Sequence, residues 1–366
     1  MSVNRRDLLT ASAILLAGPA FALRAEARDA APAAGLRVLC WNENPYGPSP
    51  AARRVMQDSI PDGCRYPSDD EIKALIAKIA EHEGTDSQHI VIGTGSGELL
   101  RALVLVCARD GGEIVAAQPT YLELPEYAET LGVKTRFVPV DALLQHDLAA
   151  MHAAITADTR AVYLCNPNNP TGTAVSAAAI RDFIAALPPQ VYAIVDEAYM
   201  DFADAAGVGS VVDLVDGNRR VVVLRTFSKL HGMAGMRLGY AVTRKEIATQ
   251  LTAVCMTYPN IMVVRAGQAS LADQVFLSET RRRILASRAR ITAQLDALGL
   301  KYARPQGNFV FFDTGIPLER FARGMQAHNI LVGRLFPPFT NWCRVTIGTE
   351  ADVSAFLSEL PGALRA

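Results

Sequence analysis

The sequence predicts an α/β fold in which a mainly parallel sheet carries helices on both faces, with a smaller α+β domain after it. Short apolar runs alternate with segments of helical periodicity through residues 69–224, and repeated strand–helix units of this length favour parallel strands. Two of the runs, 192–195 and 220–224, are almost entirely apolar, as expected of strands buried on both faces. The chain has 366 residues, half of them hydrophobic, which is enough for such a core.

The predicted elements of the large sheet follow one another at regular intervals. Segment 41–48 is rich in turn-forming residues and is predicted to be neither helix nor strand, and a helix is predicted over 69–83. The predicted strands are 89–92, 113–116, 134–138, 161–164, 192–195 and 220–224. The predicted helices between them run from the glycine-rich segment 93–98 to Cys107, near 122–131, and over 177–186.

The pattern changes after about Glu246, and this change predicts a second domain. A long helical region is followed by a strand at 308–312, a helix near 317–328 and a strand at 344–347. The predicted organisation is a signal and flexible leader over 1–35, an N-terminal arm, a large domain and a small domain. The arm covers 36–65 and belongs to the small domain, the large domain covers 66–250, and the small domain covers 251–366.

The first 35 residues have the pattern of an export signal. Arg5 and Arg6 precede an apolar run at 11–17 that is too short to span a membrane, and small residues follow it. Adjacent arginines followed by two leucines resemble a twin-arginine signal, with cleavage expected after Ala22 or Ala27. We therefore expect a periplasmic protein, or a cytoplasmic one if the signal is not used.

Charge and cysteine content exclude several classes of function. The net charge is −1, so the chain has no overall positive charge that would favour binding to nucleic acid or to an anionic membrane. The six cysteines are scattered without a CxxC pair, which argues against a zinc site or a disulfide framework. No metal and no membrane association of the processed chain are expected.

One lysine lies in a segment with the chemistry of an anchored carbonyl cofactor. Lys229 follows Thr226 and Ser228, and Arg237 comes eight residues later in a glycine-rich stretch. Lysine amines form Schiff bases with carbonyl cofactors, while two hydroxyls and an arginine can hold a phosphate. This segment predicts covalent attachment of pyridoxal phosphate at Lys229.

Polar residues at other predicted strand ends supply the remaining groups that this cofactor needs. Gly95, Ser96 and Gly97 lie between a strand and a helix, where free backbone N–H groups favour an anion. Asn169 lies in a sharp loop with two prolines and a glycine, and its amide can donate to the phenolic oxygen of the cofactor. Asp196 ends a buried strand.

Asp196 and Tyr199 are the candidates for tuning the cofactor ring. A buried carboxylate is costly without a cationic partner, and Asp196 beside the pyridinium nitrogen would keep that nitrogen protonated. Tyr199 could hydrogen-bond the same phenolic oxygen as Asn169. Lys229 would then act as general base and acid in the proton transfer.

These segments, in this order, resemble fold-type I aminotransferases of the aspartate aminotransferase superfamily, and within it the histidinol-phosphate aminotransferase branch. The resemblance covers residues 40–358. It implies that 95–97 form the phosphate cup, although that branch more often has Asp where Gly97 stands. It also implies that Tyr121 stacks on the cofactor ring and that Arg344 grips a substrate carboxylate or phosphate.

The same resemblance implies further substrate contacts and a homodimer. Tyr46 would line the substrate pocket, Asn308 matches the branch, and Tyr66 would reach the phosphate of the partner subunit's cofactor, so that the two active sites are shared. Arg334 lies in a loop shorter than true histidinol-phosphate enzymes carry. It is therefore displaced from the second phosphate-binding position or serves a different anion.

The implied reaction is amino transfer from an amino acid or a histidinol-phosphate-like amine to a 2-oxo acid. A decarboxylase of the threonine-phosphate type keeps the same fold and cofactor and stays open, because sequence does not reveal which Cα bond lies perpendicular to the ring. A non-catalytic exported binding protein would have lost cofactor residues, and none is lost. A dinucleotide-binding protein would need G-x-G-x-x-G, and segment 93–98 lacks the third glycine.

Overall fold

The computed structural model describes residues 35–217 and 219–365. The predicted export signal, its cleavage sites and nearly all of the leader lie outside the described residues. Within the described ranges, no helix is long and apolar enough to cross a membrane. All six cysteines are free thiols.

The described chain contains eleven strands and eleven α-helices, numbered here in chain order. The strands are β1 Arg37–Leu39, β2 Ile90–Gly93, β3 Glu113–Gln118, β4 Lys134–Pro139, β5 Thr159–Cys165, β6 Tyr192–Asp196, β7 Arg220–Thr226, β8 Gly239–Thr243, β9 Phe309–Asp313, β10 Ile330–Val332 and β11 Trp342–Thr346. The helices are α1 Pro50–Asp58, α2 Asp69–Glu83, α3 Ser96–Cys107, α4 Glu123–Thr130, α5 Leu148–Ala153, α6 Ala177–Ala186, α7 Lys245–Val254, α8 Ile261–Ala272, α9 Gln274–Ala297, α10 Leu318–Gln326 and α11 Glu350–Ala363.

The central sheet has seven strands in the order β2-β8-β7-β6-β5-β3-β4. Strand β8 is antiparallel to both of its neighbours, whereas the other pairings are parallel. The predicted mainly parallel α/β sheet is confirmed. Every strand that was predicted for it is present, and β8 adds one that was not.

Alternate side chains of the central strands enter two separate cores. In β7, Val221 and Val223 belong to one hydrophobic cluster, and Val222 and Leu224 belong to the other. Successive strand residues point to opposite faces of a sheet, so an apolar run of this kind is buried on both sides. This is the physical reason why the run 220–224 lacks the polar alternation of a half-exposed strand.

The C-terminal part of the chain builds two short sheets and a third core. Strands β9 and β11 pair antiparallel, and β1 from the N-terminal arm pairs parallel with β10. The third cluster joins Leu39 of the arm to residues of α9, β9, β11 and α11. The arm thus packs with the C-terminal part, while the division into domains stays a prediction.

Helix boundaries agree with the prediction where local capping fixes them. Helix α2 matches 69–83 because Ser68 and Glu71 form a reciprocal capping box and Gly84 ends the helix in the left-handed conformation. The long helical region after Glu246 is instead three helices. Breaks occur where the Asn260 and Asp273 side chains cap the helices that follow them.

Candidate active site

The predicted cofactor residues gather at one edge of the seven-stranded sheet, where the carboxyl ends of its parallel strands meet. Asp196 is the last residue of β6, and Thr226 is the last residue of β7. The loop that begins at Asn166 follows β5, and the turn that contains Gly95 follows β2. Open α/β sheets bind ligands at this edge, so topology brings these distant parts of the chain to one site.

Lys229 lies in the turn after β7, and its amine points to the N-terminal arm. Its Nζ donates a hydrogen bond of 3.0 Å to the backbone oxygen of Asn42. Part of the side chain reaches solvent, but burial of the amine lowers the pKa of Lys229 to about 8. Arg344 and Arg237 lower this pKa further, whereas Glu43 and Asp196 oppose the shift.

Asp196 is a buried carboxylate without an ion pair among the described residues. Its Oδ2 accepts a hydrogen bond of 3.1 Å from the Tyr163 hydroxyl, and its Oδ1 accepts one of 3.1 Å from the backbone N–H of Ala198. Burial raises the pKa of Asp196 to about 6, against the opposing effect of these hydrogen bonds and of Lys229. The carboxylate therefore remains mostly ionised at neutral pH, where a cationic ring nitrogen would stabilise it.

Asn169 and Tyr199 lie next to each other, and their shared contact with the phenolic oxygen of the cofactor stays a prediction. The Asn169 amide nitrogen lies 3.5 Å from the Tyr199 hydroxyl, and the Asn42 amide donates to the same hydroxyl at 3.1 Å. Tyr199 also packs edge-to-face on Phe309, with ring centroids 5.0 Å apart. Burial raises the pKa of Tyr199 above its usual value, so its hydroxyl stays protonated.

The predicted phosphate ligands form a tight cradle between the turn after β2 and the loop after β7. Ser228 donates its backbone N–H to the Thr226 hydroxyl at 3.1 Å, and Arg237 Nη1 lies 3.4 Å from the Ser228 hydroxyl. Gly95 has φ 85°, which favours glycine, and a Cβ there would come within 2.2 Å of Arg237 Nη2 and displace that side chain. Ser96 begins helix α3, whose free N–H groups favour an anion.

Gly97 and Tyr121 line an open cavity of about 380 Å³ beside the cradle, together with Thr94 and Arg237. A Cβ on Gly97 would meet nothing closer than 3.7 Å, at the Glu123 side chain. The space at Gly97 therefore tolerates a larger residue, in line with the Asp that the branch more often carries there. The structure puts Tyr121 next to the cradle, and its stacking role remains a prediction.

Arg344 extends from β11 to the cofactor side of the site. Its guanidinium donates to Asn169 Oδ1 at 2.6 Å and to the backbone oxygen of Cys40 at 2.5 Å. Its buried Nε has no hydrogen-bond partner among the described residues. The guanidinium also lies 5.8 Å from the Phe309 ring centre and 4.9 Å from that of Phe336. One donor of a fixed cation is thus buried without a described partner beside two aromatic rings.

Arg334 lies close to Arg344 despite the short loop that carries it. Both guanidinium carbons are 4.9 Å from the centre of the Phe336 ring. The positive charge of Arg334 contributes to lowering the pKa of Arg344, although burial is the larger cause. The structure therefore places the two cations around one ring instead of separating them.

Asn308 and Tyr46 lie on the side of the N-terminal arm. The Asn308 amide donates to the backbone oxygens of Asn42 and Glu43 at 3.1 and 3.3 Å, and its buried Oδ1 has no described partner. The Tyr46 ring packs against the C-terminal core, with the Arg283 guanidinium 5.4 Å from its centre. No described contact joins Tyr46 to Lys229, so its substrate role remains a prediction.

Tyr66 lies apart from the other predicted site residues. It is 91 % exposed and touches none of the cofactor residues in the described part of its own chain. The homodimer in which it would reach a partner's cofactor remains a prediction.

Two residues that sequence reasoning did not select are part of the site. Asn42 bridges the arm to Tyr199 and Lys229, and Tyr163 holds the Asp196 carboxylate. A weak signal existed for Asn42, since asparagine is one of the few residues that tolerate a positive φ, and Asn42 has φ 56°. Tyr163 gave no signal, because it reads as an ordinary apolar strand residue.

The donor set fits pyridoxal phosphate. Asp196 is a buried carboxylate with no described ion pair, and its charge and that of the Lys229 amine affect each other's pKa. The cradle around Gly95 combines hydroxyls, helix N–H groups and a guanidinium that lies close to the Gly95 backbone. A ring with a protonated nitrogen, a carbonyl and a phosphate matches each of these groups.

Comparison with known proteins agrees with this geometry. The family described as aminotransferase class I and II matches residues 36–360. The chain belongs to this family. It is a pyridoxal phosphate-dependent aminotransferase, an enzyme that transfers amino groups between amino and oxo substrates.

Two relatives of this aminotransferase that are equally similar in sequence carry different names. The chain is 37 % identical to a histidinol-phosphate aminotransferase of Moorella thermoacetica, across 88 % of this chain and 84 % of that protein. It is also 37 % identical to an aromatic amino acid aminotransferase of Rhodococcus jostii, across 88 % and 89 %. A solved histidinol-phosphate aminotransferase from Sinorhizobium meliloti, in complex with pyridoxal-5'-phosphate, superimposes with a TM-score of 0.84 at 28 % identity, across 96 % and 95 %.

The described groups account for the chemistry that the aminotransferase needs. Pyridoxal phosphate supplies a carbonyl that bonds to amines and a ring that withdraws electrons from them. Lys229 has a pKa of about 8, so its Nζ can take up and release a proton near neutral pH. With the cofactor bound, Asp196 would present negative charge to the ring nitrogen, and the predicted role of Arg344 is to present positive charge to an anionic substrate.

Proposed function

We propose that this aminotransferase uses amino acids with an aromatic or imidazole side chain, and the corresponding 2-oxo acids. The observation that carries the proposal is the state of Arg344, which is fixed by Asn169 and Cys40 and keeps a buried Nε without a described partner. A guanidinium held in this way binds a carboxylate with fixed geometry. The rings of Phe309 and Phe336 beside it provide an apolar surface for a flat side chain.

Histidinol phosphate is the second candidate donor, and Arg334 is the observation that favours it. A second guanidinium beside Phe336 adds the positive charge that a phosphate dianion requires. The relatives named above include both substrate classes. The decarboxylase alternative is less well supported, because the matched family and these relatives are aminotransferases.

A single-turnover absorbance screen separates the two donors. Phenylalanine, tyrosine, histidine, histidinol phosphate, glutamate and alanine would each be added to the purified holoenzyme, and conversion of the bound cofactor to its amine form would be followed. We expect the aromatic amino acids to convert it fastest. Conversion by histidinol phosphate alone would contradict the proposal and favour the second candidate.

Replacement of Arg334 tests whether its guanidinium binds the phosphate of histidinol phosphate. Arg334→Gln should lower kcat/KM for histidinol phosphate by about 10- to 100-fold and that for phenylalanine by less than about threefold, because only the dianion uses the second cation. Arg304→Gln removes an exposed charge from the same part of the chain and serves as the control. Equal losses for both donors would show that Arg334 acts on the site in general.

We also propose a homodimer in which Tyr66 reaches the phosphate of the partner subunit's cofactor. The support is the exposure of Tyr66 together with other large apolar residues on nearby segments, namely Ile60, Met256 and Tyr258. Asp62, which lies between Ile60 and Tyr66 in the chain, binds Arg265 of α8, the helix that follows Met256 and Tyr258. Burial of such residues between two subunits would remove apolar surface from water.

We propose export to the periplasm by the twin-arginine route. The support is the Arg5–Arg6 pattern and the short apolar run after it. Replacement of both arginines by lysine should retain the protein in the cytoplasm, as measured by cell fractionation. An unchanged periplasmic fraction would contradict this route.

A further inference from the structure

Asn42 is a buried residue of the N-terminal arm that connects the arm to two groups of the cofactor site. Its side chain donates to the Tyr199 hydroxyl at 3.1 Å, and its backbone oxygen accepts from Lys229 Nζ at 3.0 Å. It is 1 % exposed and has a left-handed backbone with φ 56°. Neither the arm's turn-rich sequence nor the cofactor motifs assign this residue a role.

Thr346 of β11 fixes the orientation of the Asn42 amide. The Thr346 hydroxyl accepts the backbone N–H of Asn42 at 2.9 Å and donates to Asn42 Oδ1 at 3.1 Å. Because Oδ1 is occupied by this donor, the NH₂ group of the amide faces Tyr199. Asn169 is oriented in the same way, since its Oδ1 accepts from Arg344.

Two amide groups therefore direct their donors to one hydroxyl oxygen. Asn42 donates to Tyr199 at 3.1 Å, and the Asn169 amide nitrogen lies at 3.5 Å. A phenol has one hydrogen to donate and two lone pairs to accept with. With both lone pairs directed at amides, the Tyr199 hydrogen must point elsewhere, toward an acceptor that is not part of either amide.

We propose that Asn42 is a positioning residue, which holds Tyr199 as a hydrogen-bond donor to the bound cofactor and holds the Lys229 amine in place through its backbone oxygen. The inference goes beyond the proposed substrate, because it concerns only groups that face the cofactor. It rests on the assignment of Lys229 and Tyr199 to the cofactor site. Thr346, two residues after Arg344 in β11, links this arrangement to the strand that carries Arg344.

The charged groups that face the Lys229 amine come from four elements. They are Arg344 in β11, Glu43 in the arm, Arg237 in the loop before β8, and Asp196 at the end of β6. None of them is altered in the test below, so a change in titration reports on the hydrogen bonds of Asn42.

The test is a double-mutant cycle read by the pH titration of the absorbance of the bound cofactor. Asn42→Gly keeps the positive φ but removes the amide, and Tyr199→Phe removes the hydroxyl. We expect each variant to raise the apparent pKa of the bound cofactor, by about 0.5 to 1 unit for Asn42→Gly and by more for Tyr199→Phe. The double variant should titrate like Tyr199→Phe alone, because Asn42 acts through that hydroxyl.

A control and a second variant keep the test decisive. Asn329 also has a positive φ and a carbonyl that accepts from Arg37, but it is exposed and far from the site in the fold, so Asn329→Gly should titrate like the wild type. If Asn42→Gly fails to fold, Thr346→Val is the second variant. It removes the hydroxyl that donates to Asn42 Oδ1 and should shift the titration in the same direction.

Three results would overturn the inference. Asn42→Gly could titrate like the wild type while it is folded and loaded, or the shifts of the two single variants could add in the double variant. Borohydride reduction followed by peptide mapping could also place the cofactor on a lysine other than Lys229. That last result would refute the site assignment itself, independently of which donor the enzyme uses.

Discussion

Lys229 and Asp196 both lie where the folded protein disfavours their charged forms. Burial lowers the pKa of Lys229 to about 8 and raises that of Asp196 to about 6. Each shift is also a statement about stability, because the unfolded chain titrates with the ordinary values. The cofactor-free protein is therefore destabilised by its own active site at neutral pH, and a bound cofactor offsets this cost.

The stability of the cofactor-free protein should depend on pH through Lys229. Between its folded pKa of about 8 and its ordinary value of 10.5, the unfolded chain binds more protons, so stability rises with pH in this window. Lys229→Met removes the effect. The free energy of unfolding of Lys229→Met minus that of the wild type should be about 3 kcal/mol larger at pH 7 than at pH 10.5. Urea unfolding at the two pH values measures this difference.

Methionine also changes the packing at position 229, but that effect is a constant offset at every pH. The pH dependence of the difference is therefore the informative quantity. Lys73→Met, on the exposed face of α2, is the control and should leave the pH dependence unchanged. A difference between Lys229→Met and wild type that stays constant from pH 7 to 10.5 would contradict the prediction.

The sequence identified the residues whose chemistry is unusual for their position, and not those that act through distant contacts. Lys229, Asp196 and Asn169 stand in short motifs at strand ends, where a polar residue requires an explanation. Asn42 and Tyr163 acquire their roles from partners that are 157 and 33 residues away along the chain. Such pairings follow from the tertiary fold, so single-sequence patterns do not contain them.

At the scale of the element, the turn between β2 and α3 shows how two neighbouring glycines differ. Gly95 has φ 85°, which strains any residue with a side chain, and a Cβ there would push Arg237 Nη2 from 2.2 Å away, whereas Gly97 has ordinary space. Gly95→Ala should displace Arg237 and weaken pyridoxal phosphate binding by about tenfold or more. Equilibrium titration of the cofactor-free protein with pyridoxal phosphate measures this.

Gly97→Ala is the matched control in the same turn. Its Cβ would meet only the flexible Glu123 side chain at 3.7 Å, so we expect a change in affinity of less than about threefold. Equal losses for the two variants would mean that helix or loop stability, and not the contact with Arg237, determines cofactor affinity.

Elements were predictable from sequence where their signals are local. Both ends of helix α2 could be predicted to the residue, because Ser68, Glu71 and Gly84 mark them. Strands β1 and β10 were missed because each has three residues and finds its partner at the other end of the chain. Strand β8 was also missed, since it pairs antiparallel within a sheet whose repeat pattern indicates parallel strands.

At the scale of the whole molecule, shared active sites can be tested by mixing two inactive variants. If Tyr66 serves the partner's site, a heterodimer of Lys229→Ala and Tyr66→Phe contains one intact site. Its activity per dimer should be about half that of the wild type, and each homodimer should be much less active. Differently tagged subunits, co-expressed and purified by both tags, provide the heterodimer.

Heterodimer activity no higher than that of the Tyr66→Phe homodimer would show that Tyr66 serves its own chain. Co-expressed wild-type subunits with the same two tags control for the purification. Light scattering of the wild-type protein gives the assembly state directly, and a monomer that is fully active would contradict the dimer.

The pairing of β1 with β10 has a consequence for the order in which a growing chain acquires its structure. Arg37 pairs with Ile330, and Asn42 binds Thr346, so β1 has no strand to pair with, and Asn42 has no Thr346 hydroxyl, until almost all of the chain has left the ribosome. Contacts between such distant segments close late, because the intervening loop must first lose its conformational freedom. Thr346 therefore fixes Asn42, the acceptor of the Lys229 amine, only in a finished chain. A prematurely terminated product would lack that anchor even if its seven-stranded sheet had formed.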